Sequence, residues 1–80
     1  MLSAIKHKLE QSFPSSTIEV IDDSPEHQGH TASGAHISVF VTWKGFAGKS
    51  LREQHQMIYD ILHEEMKEQI HALKIKTKII

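Results

Sequence analysis

Seven histidines in 80 residues, beside a single arginine and no cysteine, concentrate the chemistry of this chain in imidazole. Histidine supplies neutral nitrogen ligands to metals and titrates near neutral pH. Without cysteine there is no disulfide scaffold, no cysteine catalysis and no thiolate metal site contributed by this chain alone. His27 and His30 lie in the segment DDSPEHQGHTASGA, residues 22–35, and His36 stands at its exit. His71 sits where a long helical pattern hands over to the C-terminal run HALKIKTKII. His7 and His63 read as surface residues of helices. His55, on an apolar stripe between Leu51 and Ile58, reads as a packed residue with one satisfied ring nitrogen.

Catalytic motifs fail on inspection. His63-Glu64 begins the zinc-protease pattern H-E-x-x-H, but its last position is Lys67. His27 and His30 are three residues apart in a glycine-containing loop, not one turn apart on a helix. Gly48-Lys49-Ser50 resembles the end of a phosphate-binding loop, yet the first glycine of that motif falls on Trp43. No nucleophile elbow accompanies the serines. Gly45-Phe46-Ala47-Gly48 is a G-x-x-G flanked by Lys44, Lys49 and Arg52, the pattern of the nucleic-acid clamp in KH domains. The plainer reading is a tight turn that needs two glycines and buries Phe46 as an anchor, and the net charge favours it. A net charge of −1 and a pI near 6.6 disfavour a generic nucleic-acid binder.

The elements that must position these residues follow from hydrophobic period. Leu2, Ile5, Leu9 and Phe13 share one helical face, and Pro14-Ser15-Ser16 ends that helix. Residues 17–22 alternate as a strand with Ile18 and Val20 together; residues 36–43 alternate with Ile37, Val39, Val41 and Trp43 together. Residues 44–49 form a glycine-marked turn with room for a short helix. Ser50 and Glu53 make a capping box for a long helix running to about Gln69. Its predicted buried stripe is Leu51, His55, Ile58, Leu62 and Met66, broadened by Tyr59 and Ile61. The tail alternates Leu73, Ile75, Thr77 and Ile79 against Lys74, Lys76 and Lys78, a strand with one basic face.

These elements predict an α+β domain over residues 1–80, in the order αββααβ, with one three-stranded sheet covered by helices. Hydrophobic residues at 39% and charged residues at 24% are ordinary for a globular chain. No eighteen-residue apolar run and no signal-peptide pattern occur, so a cytoplasmic chain without membrane contact is the expectation.

Taken together, Gly29-His30, the strand-opening His36, F-x-G-K-S at Phe46–Ser50 and IHALKIKT at Ile70–Thr77 resemble the BolA family across nearly the whole chain. The segment QHQMIYDILHEEMKEQIHA departs from the R-H-R of many members and is similar to the branch of mitochondrial and α-proteobacterial BolA proteins. Ile37 stands where Phe is usual, and the chain ends without the usual short acidic tail.

The resemblance implies a type II KH-like fold and a non-enzymatic role as partner of a monothiol CGFS glutaredoxin in iron–sulfur cluster assembly, transfer or sensing. It implies a [2Fe–2S] cluster shared with glutaredoxin and glutathione, and none in the isolated, monomeric chain. The family's constant histidine ligand maps to His71 and the loop ligand to His30, with His27 as the rival. The family also implies an alternative, a transcriptional regulator binding DNA through the KH-like face at Lys44, Gly45, Gly48, Lys49 and Arg52, with Lys74 and Lys76 as further contacts. A eukaryotic, processed member would reside in the mitochondrial matrix.

Overall fold

Ile5, Leu9 and Phe13 lie three to four residues apart, and in the computed structural model all three are buried on one face of a helix, α1, Leu2–Ser12. The structure describes residues 2–23, 35–68 and 70–79, and only the backbone of Ala35 and His71. After α1 the chain turns through Ser15, whose φ of 63° is left-handed. β1 is Thr17–Asp22 and β2 is Ala35–Thr42. A short 3-10 turn follows at Lys44–Phe46, then α2 (Leu51–Ile61), α3 (His63–Glu68) and β3 (Ile70–Lys78). The predicted α+β order holds, with the expected short helix present as the 3-10 turn and the expected long helix divided into α2 and α3.

The sheet runs β1-β2-β3, with β2 antiparallel to β1 and parallel to β3. Parallel pairing of β2 and β3 needs a crossover, which α2 and α3 supply. Ile18, Ile37, Val39 and Val41 point from the sheet into one core with the buried residues of α1, Phe46, Ile58, Leu62 and Ile70. At about 25 cal/mol per Å², each fully buried side chain of this size contributes on the order of 1.5–3 kcal/mol. The opposite face of the sheet carries no helix among the described residues. Phe13, Trp43 and Phe46 pack in tilted and edge-to-face contacts at centroid distances of 4.8 to 5.4 Å, and the Trp43 indole donates to the Pro14 carbonyl at 3.0 Å. That cluster pins the end of α1 to the glycine turn.

Three expectations need correction. The long helix is two helices, broken at Leu62 (φ −99°, ψ 14°), which stays buried. At the break the His63 ring donates from Nδ1 to the Asp60 carbonyl at 2.8 Å. Leu51 is 63% exposed, because the capped first turn extends past the core. From Gln54 onward the helix meets β3, so the stripe runs Gln54, Ile58, Leu62, and Tyr59 lies outside it at 37% exposure. Finally, β2 begins at Ala35 and ends at Thr42, with Trp43 beyond it and half-buried.

Candidate functional site

His71 enters β3 as an extra residue. Ala35 pairs with Ile70 and His36 pairs with Ala72, so the parallel ladder absorbs residue 71 between two consecutive partners of β2. Such irregularities re-aim the chain and recur beside functional sites. The same end of the sheet holds both anchors of the segment that carries His27 and His30. Asp23 donates its amide to the His36 carbonyl at 2.7 Å, and Ala35 begins β2. The Ser38 hydroxyl donates to the Asp23 carboxylate, and Asp23, His36, Ile37, Ala72 and Lys74 line a recess of about 140 Å³. His27 and His30 themselves lie outside the described residues, as does the side chain of His71. Among the described residues no three His, Cys, Asp or Glu side chains converge as a metal site.

The G-x-x-G segment serves packing. A Cβ on Gly45 would lie 2.4 Å from the Trp43 ring, so this glycine is required by the indole that lies over it. Gly48 has φ +81° with open space around it, so it is required by backbone conformation. Lys44, Lys49 and Arg52 are exposed around this turn, and Glu53 shares the surface with them. Glu53 accepts from the Ser50 amide at 2.9 Å and donates its own amide to the Ser50 hydroxyl at 3.1 Å. The bond from the Ser50 backbone, and after it that from the Ser50 side chain, hold the Glu53 carboxyl below the usual carboxylate range.

Sequence reasoning missed Gln54. Its amide nitrogen donates to the Lys49 carbonyl at 2.9 Å, and its oxygen accepts from the Thr77 hydroxyl, at 6% exposure. A polar residue in the i, i+4 frame of Ile58 and Leu62 was the available signal. His55 is half-buried on α2, and its Nε2 is buried with no hydrogen-bond partner among the described residues. His7 and His63 are exposed, as expected.

The family model described as BolA-like protein matches residues 9–79. The chain is 34% identical over 76 residues to the DNA-binding transcriptional regulator BolA of Escherichia coli (strain K12), covering 95% of this chain and 72% of that protein. It is 37% identical over 82 residues to the SufE-like protein 1, chloroplastic/mitochondrial, of Arabidopsis thaliana, covering 92% of this chain but only 22% of that one. The solved BolA domain of SufE1 from Arabidopsis thaliana superimposes with a TM-score of 0.83 at 37% identity, covering 98% and 90% of the two chains. The family description and the names of its BolA relatives are those of regulators and BolA-like proteins and indicate no catalytic family. No helix among the described residues is long and apolar enough to cross a membrane.

Proposed function

Because the chain belongs to the BolA-like family, we propose that it acts without catalysis as the partner of a monothiol glutaredoxin, handling a [2Fe–2S] cluster as cargo through His71 and His30. One observation carries this reading. The two anchors of the segment holding His27 and His30 stand at the same sheet end as the extra residue His71. The donor chemistry fits: imidazole suits iron, and two histidines can replace two cysteines on one iron of such a cluster. The thiolates this chain lacks come from the partner and its glutathione. What the chain contributes is position, since the β2–β3 ladder holds the backbone of residue 71 on both sides of the irregularity.

The test is visible absorption on mixing the chain with a monothiol glutaredoxin, glutathione, iron and sulfide. His71→Ala abolishes the mixed species, and His30→Ala leaves it labile. Unchanged spectra in the His71 variant overturn the assignment. A His27→Ala variant more damaging than His30→Ala moves the loop ligand and keeps the function.

A second reading, nucleic-acid binding, is favoured by the Escherichia coli relative's name as a DNA-binding transcriptional regulator. Lys44, Gly45, Gly48, Lys49 and Arg52 are the residues the KH-like pattern supplies for it.

A further inference from the structure

The sheet face turned away from the helices is ordered across its strands by charge. Register places Glu19 of β1 beside Phe40 of β2, and Phe40 beside Lys76 of β3. Since Val39 and Val41 point into the core, Phe40 and its row partners share the uncovered face. On β3 the alternate positions Lys74, Lys76 and Lys78 are all exposed on that face, about 6.6 Å apart along the strand. Between β2 and β3 lies a groove of about 290 Å³, lined by Phe40, Thr42, Lys76, Lys78 and the intervening Val41 and Thr77. A cationic edge, an aromatic floor and an acidic far side therefore follow one another across a single row.

We infer that this face binds single-stranded nucleic acid, with the phosphate backbone along Lys74, Lys76 and Lys78 and a base stacked on Phe40. Aromatic floors beside cationic tracks are the general solution for single strands, because every base has a π-face and every linkage has a charge. Glu19 repels phosphates and confines them to the β3 side. A duplex keeps its bases stacked inside and offers none to Phe40. An acidic peptide satisfies the lysines but has no planar group for the groove. The inference rests on the second reading above and moves its site. The G-x-x-G turn is occupied by its own Trp43 ring over Gly45, whereas no helix among the described residues covers the sheet face.

The experiment is fluorescence anisotropy of a labelled eight-nucleotide DNA single strand with the whole chain, at several salt concentrations. With three lysine contacts, log affinity against log salt has a slope of about −2, at roughly −0.7 per contact for single strands. Lys74→Ala/Lys76→Ala/Lys78→Ala brings the slope close to zero. Phe40→Leu keeps an apolar side chain but weakens binding at least about five-fold through lost stacking. Urea unfolding of both variants checks that they remain folded. The Lys44→Ala/Lys49→Ala/Arg52→Ala variant separates the two sites. If it abolishes binding while the β3 variant does not, the sheet-face site is overturned and the second reading stands. If no single strand binds, the sheet-face site is overturned, and the second reading falls with it only if a duplex of equal length fails to bind too. If oligoglutamate competes as well as DNA and Phe40→Leu changes nothing, the face is a general anion patch and the inference is overturned. Tighter binding of a duplex of equal length overturns it as well.

Discussion

At the residue scale, the two glycines of the G-x-x-G turn are held by different constraints, and substitution separates them. Gly45→Ala drives a methyl into the Trp43 ring, where the ideal Cβ position is 2.4 Å from ring carbon. We expect a loss of about 1–3 kcal/mol in urea unfolding, the usual cost of overpacking. Gly48 has space but a left-handed backbone, so Gly48→Ala costs about 1–2 kcal/mol. Asparagine, which tolerates that conformation, recovers part of the loss at position 48 and none at 45. Equal recovery at both positions contradicts the distinction. Gln54 invites a double-mutant cycle. Gln54→Leu takes the partner from the Lys49 carbonyl and the Thr77 hydroxyl, at about 1–2 kcal/mol for two part-buried groups. Thr77→Val removes one of those groups, so the double variant loses less than the sum of the singles. Strict additivity in urea titrations shows that the two side chains do not interact.

At the scale of elements, α3 is tied to α1 by one ion pair, Lys8 to Glu65 at 3.0 Å, between side chains 36% and 14% exposed. Burial pushes the Glu65 carboxyl up, but the Lys8 hydrogen bond, the residue's own backbone bond and the charges of Lys8 and His63 outweigh it, and the net shift is downward. A carboxyl lowered in the folded state binds fewer protons there than when unfolded. Its contribution is therefore present above the unfolded value of about 4.3 and is lost as pH falls through the lowered folded one. With Lys8 over a third exposed, solvent screening keeps the contribution below about 1 kcal/mol. Native protein and Glu65→Gln should thus differ in urea midpoint at neutral pH and converge in acid once pH has fallen through the lowered folded value. A gap that persists or widens in acid contradicts this sign. The α2 cap gives a simpler comparison. Ser50→Ala removes the acceptor for the Glu53 amide and costs about 0.5–2 kcal/mol.

At the scale of the whole molecule, the proposed cargo role has its own pH signature. Neutral imidazole binds iron and imidazolium cannot, so protons compete with the metal. An unperturbed histidine titrates near 6.5 and coordination favours its neutral form. The mixed species with glutaredoxin is expected to hold its cluster at about pH 8 and to lose it as pH falls through about 6. The glutaredoxin homodimer, held by thiolates, changes less over that interval. Nucleic-acid binding moves the other way, because protonated histidines add positive charge. A cluster spectrum flat between about pH 8 and 5.5 removes histidine from the ligand set.

The sequence by itself determined whatever depends on a local period or a local bond. The faces Ile5–Leu9–Phe13 and Ile37–Val39–Val41 were legible because one side of a helix or strand must leave water. The Ser50–Glu53 box was legible because its partners are three residues apart. Tertiary structure decided what depends on residues distant in the chain. Only β3 supplies the Thr77 hydroxyl that makes Gln54 a core residue. Only the docking of the end of α1, where the Pro14 carbonyl accepts from the Trp43 indole, holds that ring over Gly45. Only the β2–β3 register makes His71 an extra residue, and only that register together with the β1–β2 one aligns Glu19, Phe40 and Lys76 in one row. Periodicity assigns a residue to a face, but a neighbour on that face comes from another strand, and its identity is set by the register that packing selects.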